Sequence, residues 1–337
     1  MSSRQHLYGQ ADSIDGKEGG SMKRTIKEIL LSVFLGLVVP VILLSRTKIP
    51  DNKSETPSQA VTEPSYTKSN LTMHLMLSDG SVQDMDMEDY LVGVVLAEMP
   101  ASFETEALKA QAVVARTYTL KCIQSGTKHD GSVCTDYACC QAYIWEEEYN
   151  GGKDNLEKVR SAVLATSGQV LTYQGDLIEA TYFSCSGGTT EDAVAVWGTD
   201  FPYLRSVDSP GEEYATHFSD MVSFTAKEFQ DALGQKLSGS MKSWFGFTTY
   251  TAGGGVNTMR IGGVDYKGTE IRSRLGLRST AFEVSVSEDM IAITTKGYGH
   301  RVGMSQYGAD AMAVSGSSYD QILAHYYQGS ELVLFDN

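Results

Sequence analysis

The chain has 337 residues and a formal net charge of −15. A charge this negative argues against nucleic acid or an anionic bilayer as the main partner, and against simple electrostatic adhesion to an anionic polymer. Binding to such a polymer must therefore depend on a shaped cleft.

The N-terminal part contains an apolar run, Ile29–Leu44, with basic residues on both sides. A membrane span needs roughly 20 residues, and about 17 is near the lower limit. A signal peptide is the alternative, but no small-x-small cleavage pattern follows the run. We expect an uncleaved anchor over residues 29–46. Charge alone leaves its orientation open; an extracytoplasmic domain would put residues 1–28 in the cytoplasm.

Residues 47–68 have the composition of a solvated, flexible tether. They contain Pro50, Pro57 and Pro64 among many polar residues, and such segments cannot bury a core. The folded domain is therefore expected over residues 69–337, which is long enough for one large core or two small ones.

The apolar run Tyr90–Ala97 is followed by Glu98-Met99-Pro100. Asp86 can cap a helix here, and Pro100 should end that helix near Met99. Helical spacing places Glu98 on the apolar face of the last turn. The helix dipole and the apolar neighbours both penalise its negative charge, so its pKa should be raised, as a general acid requires. The alternative is a Glu that extends to solvent at a helix end.

A second helix is predicted over Glu104–Lys121. Arg116 lies on the flank of its apolar stripe beside Ala112 and Val113, so the guanidinium should be partly buried and needs an acceptor. Two acceptors are open from the sequence: substrate oxygens, or a carboxylate of the fold.

The five cysteines are an odd number that cannot be fully paired within one chain, and three of them crowd into a short polar stretch. This stretch, residues 122–153, looks like a Cys-rich insertion. Its candidate zinc ligands are His129, Cys134, Cys139 and Cys140. Four nitrogen and sulfur ligands suffice for one tetrahedral zinc, which would brace the insertion. A disulfide such as Cys134–Cys140 and free thiols are the alternatives.

Two further segments carry polar groups suited to a ligand. The run Ser184–Glu191 follows a strand and contains two glycines and several hydroxyls, which would let the backbone approach a sugar closely. Neither Ser184 nor Ser186 has the strand–Gly-x-Ser-x-Gly–helix context of a hydrolase nucleophile. The second segment is Gly297–Ala309, which follows a predicted strand. Its candidate cleft residues are His300, Gln306 and Tyr307.

The order of elements predicts an α+β fold, with mixed helices and mostly antiparallel strands in two lobes around a cleft. Residues 205–285 are the expected smaller lobe, because a helix there precedes short strands separated by turn signals.

These segments together resemble the stage II sporulation protein D family, which includes enhancers of cell-wall amidases. The matching pieces are Tyr90–Val95 with Glu98–Pro100, Ala110–Tyr118, Ser184–Glu191, Leu275–Phe282 and Gly297–Ala309. They occur in order between about residues 71 and 333. One departure is visible: the usual Gly-His-Gly-Val-Gly has Arg301 at its centre, so a side chain must be tolerated there.

The resemblance implies a lytic transglycosylase that cuts the β-1,4 bond between N-acetylmuramic acid and N-acetylglucosamine in peptidoglycan, with Glu98 as the catalytic acid. Ordinary glycosidases use two carboxylates, but one suffices if the 6-hydroxyl of the muramic acid attacks its own anomeric carbon. No cofactor is then required for catalysis. The residues expected to hold the sugars are Arg116, Ser184, Ser186, His300, Gln306 and Tyr307.

Family members act on glycan strands from which a partner amidase has removed the stem peptides, at the engulfing mother-cell membrane of endospore-forming bacteria. The resemblance therefore implies a single-pass membrane protein whose catalytic domain is extracytoplasmic and faces the forespore. Its expected partners are the glycan strands, the amidase and a membrane component of the engulfment machinery. Two other functions remain open: a non-catalytic glycan-binding activator of the amidase, and metal-dependent hydrolysis at the cysteine cluster.

Overall fold

The computed structural model describes residues 71–126 and 129–335. The predicted cytoplasmic tail, membrane anchor and tether lie outside these residues and stay predictions. Within the described ranges, no helix is both long and apolar enough to cross a membrane.

The secondary structure mixes short strands with helices of up to 21 residues. The α-helices are α1 (Met87–Glu98), α2 (Thr105–Ser125), α3 (Lys153–Ala165), α4 (Ala193–Trp197), α5 (Ala226–Leu233), α6 (Gly268–Leu275), α7 (Gln306–Val314) and α8 (Tyr319–Tyr326). The strands are β1 (Thr72–Met76), β2 (Val82–Asp86), β3 (Val133–Cys134), β4 (Gln169–Tyr173), β5 (Asp176–Leu177), β6 (Tyr182–Phe183), β7 (Ser219–Thr225), β8 (Phe245–Tyr250), β9 (Val256–Ile261), β10 (Val264–Lys267), β11 (Phe282–Val286), β12 (Met290–Lys296), β13 (Met304–Ser305) and β14 (Glu331–Leu334).

These strands form several small sheets rather than one large one. The strand orders are β2-β1-β3, β14-β4-β5, β13-β6, β11-β12-β7 and β10-β9-β8. Pairing is antiparallel except between β1 and β3 and between β6 and β13. The predicted α+β class with mostly antiparallel strands is therefore confirmed for the described part of the chain.

Helix α1 begins and ends where the sequence indicates. The Asp86 carboxylate accepts hydrogen bonds from the backbone N–H of Glu88 (2.9 Å) and Asp89 (3.3 Å), which satisfies two donors of the first turn. Met99 is extended at φ −130° and ψ 137°, as a residue before Pro100 prefers. The helix is buried over nearly its whole length rather than along one stripe, so its last turn delivers Glu98 directly from the core.

Helix α2 continues to Ser125, four residues beyond the predicted end, and Gly126 terminates it at φ 60°. The proposed start of the insertion at residue 122 therefore lies inside this helix. Helix α2 does not end at Lys121, because no helix-breaking residue precedes Gly126.

Arg116 is fully buried, and its partner is a carboxylate of the fold. Its Nε donates to Glu88 Oε1 (3.1 Å), and its Nη1 donates to the backbone carbonyl of Gln169 (3.0 Å). Glu88 also accepts from the backbone N–H of Gly168 (3.1 Å). The prediction that Arg116 binds substrate is therefore wrong, because its guanidinium joins α1, α2 and the start of β4 instead.

Two separate hydrophobic cores lie in the described domain. The larger core surrounds α1 and α2 and takes in side chains from α3, β4 and α8. The smaller core belongs to strands β7–β12 with helices α5 and α6. The smaller lobe thus runs from about residue 219 to 296 instead of 205 to 285, because β12 pairs with both β7 and β11.

We expect Arg116→Met to lower the free energy of unfolding by about 3–5 kcal/mol, because it leaves the buried Glu88 carboxylate without its counter-ion. Urea unfolding of the full chain measures this loss. Arg260→Gln removes a guanidinium from an exposed pair with Asp265 and should leave the free energy of unfolding nearly unchanged, because solvent screens such a pair. A wild-type stability for Arg116→Met, with glycan binding lost, would restore the substrate-binding assignment.

Candidate active-site cleft

A cleft of about 380 Å³ opens where α1 ends. Its lining residues are Glu98, Tyr118, Tyr137, Ala138, Cys139, Cys140, Gln141, Thr181, Tyr182, Trp197 and His300. Four of the residues singled out in the sequence meet here: Glu98, His300 and two members of the cysteine cluster. They come from three segments that are distant in sequence, so only the fold brings them together.

Glu98 lies half-buried in the last turn of α1. Burial raises the pKa of its carboxyl, and this effect outweighs the opposing hydrogen bonds from the backbone of Ala142 and the hydroxyl of Tyr182. The Ala142 N–H donates to Glu98 Oε1 at 2.7 Å, which fixes one carboxyl oxygen. The direction of the pKa shift agrees with the prediction from the sequence.

A chain of hydrogen bonds supports the wall beside Glu98. The Tyr182 hydroxyl donates to Gln141 Oε1 (3.1 Å), and Gln141 Nε2 donates to Thr119 Oγ1 on α2 (2.8 Å). Burial and the nearby Glu98 carboxyl hold the pKa of Tyr182 well above its ordinary value, so its hydroxyl remains a donor. The sequence did not predict Gln141 and Tyr182 as site residues, since neither belongs to a motif typical of a binding or catalytic site.

His300 is held in one neutral form. Its Nδ1 accepts from the backbone N–H of Val302 (3.1 Å), which leaves the proton on Nε2. Burial, with a smaller contribution from the charge of Arg272, lowers the pKa of His300 to about 4. The ring contacts Phe183 and Trp197, with centroids 5.6 and 5.3 Å away. Near neutral pH, His300 therefore lines the cleft as an uncharged ring.

Trp197 is a cleft residue that the sequence analysis did not select. It ends the short helix α4 and remains 42% exposed while its ring lies against His300. An exposed indole at the rim of a polar cleft offers a flat apolar surface with a donor at its edge. The only feature of the sequence that marks this position is a tryptophan directly followed by a glycine, at residues 197 and 198.

Ser184 and Ser186 do not line the cleft. The Ser186 side chain is buried and donates to Glu212 Oε1 (2.9 Å), and the Ser186 N–H donates to Glu212 Oε2 (2.7 Å). The Ser184 carbonyl accepts from the backbone N–H of Tyr307 (3.1 Å). Their predicted contacts with sugar are replaced by contacts that hold the Ser184–Glu191 run in place.

Gln306 and Tyr307 are also absent from the cleft lining. Gln306 is buried at the start of α7, and its Nε2 has no hydrogen-bond partner within the described residues. The Tyr307 ring packs against Phe103 and Tyr214, with centroids 5.0 and 5.4 Å away. Of the six predicted substrate-binding residues, His300 is the one that the structure places in the cleft with Glu98.

Arg301, the departure from the family motif, has a structural role. It occupies the left-handed region at φ 65°, which is unfavourable for a side chain of this size. Its guanidinium compensates by donating to three backbone carbonyls and pairing with the buried Glu191. The arginine therefore ties the Ser184–Glu191 run to the segment that carries His300.

The structure brings the predicted metal ligands together. One ligand atom each from His129, Cys134, Cys139 and Cys140 lies within 4.8 Å of the others. His129 Nε2 is 3.2 Å from Cys139 Sγ, and the sulfurs of Cys139 and Cys140 are 4.0 Å apart. Zinc–ligand bonds of about 2.0–2.3 Å imply tetrahedral edges of roughly 3.3–3.8 Å. The donor set fits zinc, the sulfur–sulfur separation of 4.0 Å is slightly wider than such an edge, and the described cysteines form no disulfide.

The cysteine segment is part of the cleft wall. Cys139 and Cys140 belong to both the ligand cluster and the cleft lining, and the next two residues are Gln141 and Ala142, which contact the Tyr182–Glu98 site. Bracing this segment therefore also positions the donor that fixes the Glu98 carboxyl.

We expect Glu98→Gln to be at least as stable as the wild type at pH 8, with the difference shrinking towards pH 4. Because burial raises the pKa of Glu98, the native state retains a proton that the unfolded chain releases above a pKa of about 4.3, so wild-type stability falls as pH rises through the native pKa. Urea unfolding across this pH range measures the difference, with the exposed Glu148→Gln as the control. A Glu98→Gln variant that loses stability relative to the wild type as pH rises would contradict the raised pKa.

Comparison with known proteins places the chain in a family. A family model described as "Stage II sporulation protein" matches residues 78–173. The chain is 43% identical over 264 residues to stage II sporulation protein D of Bacillus subtilis (strain 168), covering 75% of this chain and 76% of that protein. The corresponding protein of Bacillus amyloliquefaciens is 41% identical over 266 residues, covering 76% of each chain. An amidase enhancer of Bacillus subtilis (strain 168) is 32% identical over 300 residues, which cover 73% of this chain and 40% of that protein. The chain therefore belongs to the stage II sporulation protein D family.

Proposed function

We propose that this protein is a peptidoglycan lytic transglycosylase that cleaves the β-1,4 bond between N-acetylmuramic acid and N-acetylglucosamine during engulfment in endospore formation. The observation that carries the proposal is the Glu98 carboxyl, whose burial in a cleft favours the protonated form. Family membership supports a role in sporulation, and the related amidase enhancer supports a role at the cell wall.

In the proposed reaction, Glu98 gives its proton to the glycosidic oxygen as the bond from that oxygen to the muramic anomeric carbon breaks. The 6-hydroxyl of the same muramic acid then bonds to that carbon, and its proton passes to the Glu98 carboxylate. The acid is thereby regenerated, and the product carries a 1,6-anhydro end. This route needs no second carboxylate, which ordinary glycosidases require, and acid–base help of this kind contributes typically about 10²–10⁴-fold.

Neighbouring residues would position the strand in the cleft. The neutral ring of His300 lies in the cleft lining against Trp197 and would contact the sugar without adding a charge. The exposed ring of Trp197 offers a stacking surface for a pyranose face. Tyr182 and Gln141 keep the Glu98 wall in one arrangement.

The cysteine cluster is proposed to hold a structural zinc, with His129, Cys134, Cys139 and Cys140 as ligands. A bound zinc contributes folding free energy to a site of four protein ligands. Burial raises the pKa of the Cys140 thiol to about 12, so metal binding must displace a proton that is otherwise retained. The consequence for the cleft is an ordered segment from Cys139 to Ala142.

The proposed cellular arrangement follows from the segments outside the described residues. An anchor over residues 29–46 would hold the protein in the mother-cell membrane, with the catalytic domain outside the cytoplasm and facing the forespore. Its partners there would be glycan strands, a cell-wall amidase and a membrane component of the engulfment machinery.

A second candidate function is a non-catalytic glycan-binding activator of an amidase. The observation that favours it is the similarity to an amidase enhancer. Such an activator would need the cleft for binding but not the proton of Glu98, and this difference separates the two functions.

We expect the purified full chain to release fragments from amidase-treated peptidoglycan, and Glu98→Gln to lower that rate by about 10²-fold or more because the proton donor is lost. Chromatography and mass spectrometry of the soluble products measure the rate, with Glu148→Gln as the control. No release by the wild type, together with amidase stimulation by both wild type and Glu98→Gln, would establish the activator instead. Release that survives Glu98→Gln but stops with a chelator would indicate metal-dependent hydrolysis.

We expect the native full chain to carry one zinc, and Cys134→Ser to lose it because one ligand of the tetrahedron is removed. Native mass spectrometry and elemental analysis measure the content. Cys122→Ser is the matched control, since Cys122 lies on α2 outside the cluster. A native protein without zinc would overturn this part of the proposal.

A further inference from the structure

A second cavity, of about 560 Å³, lies on the smaller lobe beside the segment that carries His300. Its wall includes Arg272 on α6, Arg278 just after α6, and Tyr298, two residues before His300. The charge of Arg272 acts on His300 itself, so this cavity, here called the Arg272 pocket, adjoins the Glu98 cleft.

The Arg272 guanidinium has no carboxylate partner within the described residues. Its Nε donates to the backbone carbonyl of Leu277 (3.3 Å), and no ion pair engages the rest of the group. The acidic residue on the same helix, Glu270, is already paired with Arg274 (2.7 Å). A partly buried charge without a counter-ion is costly, and a bound anion would compensate it.

The second arginine of the pocket is held in place. Arg278 Nε donates to Asp220 Oδ2 (3.2 Å), and its guanidinium lies 4.9 Å from the centroid of the Tyr298 ring. Asp220 neutralises one of the two guanidinium charges, so the pocket keeps one net positive charge in a chain of net charge −15. Hydroxyls of Thr269 and Ser273 line the same wall and add neutral donors. This combination suits a carboxylate, which a guanidinium can bind with two parallel hydrogen bonds.

We propose that the Arg272 pocket binds the free lactyl carboxylate of an N-acetylmuramic acid in the glycan strand. This inference rests on the proposed function. In a strand that still carries stem peptides, the lactyl carboxyl is tied up in an uncharged amide. Removal of the peptide by an amidase exposes the carboxylate, which is then the anionic group of an otherwise neutral polysaccharide. The pocket would therefore select stripped strands through a charge that the amidase creates.

The test compares stripped glycan with the same glycan after carbodiimide coupling to methylamine, which converts each lactyl carboxylate into a neutral amide. Binding to both polymers is measured with the full chain bearing Glu98→Gln, so that no cleavage occurs, and cleavage rates are measured with Glu98 intact. Arg272→Gln is introduced in both backgrounds. Arg260→Gln, which removes an exposed guanidinium elsewhere on the smaller lobe, is the matched control.

We expect amidation of the glycan to weaken binding about tenfold or more, the loss of one charge-assisted hydrogen-bonded contact. Arg272→Gln should weaken binding to the carboxylate polymer by a similar factor and leave binding to the amide polymer unchanged. In the cleavage assay, the same changes should raise KM and leave kcat unchanged. Equal affinity of the parent for the two polymers, or an equal effect of Arg272→Gln on both, would overturn the pocket assignment. Absence of cleavage by any variant would instead count against the transglycosylase, while the binding comparison would still decide the pocket.

Discussion

The structure depends on one helix that is buried over nearly its whole length and ends in a carboxyl group. Helix α1 is fixed at its start by the Asp86 cap and by the buried pair of Glu88 with Arg116. Its end is fixed by the extended Met99 before Pro100. Because both ends are held, Glu98 cannot move away from its partly desolvated position without disturbing the core. The raised pKa of this carboxyl is thus a consequence of the fold, and the buried ion pair has a structural rather than a substrate-binding role.

Three other parts of the chain complete the site around that carboxyl. The cysteine segment supplies the Ala142 donor and two cleft-lining thiol groups. The segment after β12 supplies His300, held neutral by Val302 and burial. The smaller lobe supplies the Arg272 pocket beside it. In the proposed function, the Glu98 carboxyl, the neutral His300 ring and the Arg272 pocket would meet the linkage, the sugar rings and the carboxylate of a stripped glycan.

Features with a local physical signature were predictable from the sequence. The limits of α1 and the raised pKa of Glu98 followed from capping and helical period, and the structure agrees with both. The four candidate ligands followed from ligand type, and the structure brings them together. Features set by long-range contacts were not. The partner of Arg116 is 28 positions away, and the Gly-rich loops use Ser186 and Arg301 to hold one another. Hydroxyls in a glycine-rich run predict hydrogen bonding, but only tertiary contacts decide whether the partner is a sugar or a buried carboxylate such as Glu212. Trp197 and Tyr182 were not predicted as cleft residues because only tertiary contacts place them beside Glu98 and His300.

The most direct test of this account is the pKa of the Glu98 carboxyl itself. Infrared difference titration of the wild-type full chain against Glu98→Gln isolates the carbonyl band of the protonated Glu98 and the carboxylate bands that replace it. The account predicts that the protonated band persists above the ordinary glutamate pKa of 4.5. A Glu98 that ionises at or below that value would contradict the proposal that this carboxyl is the proton donor of the cleft.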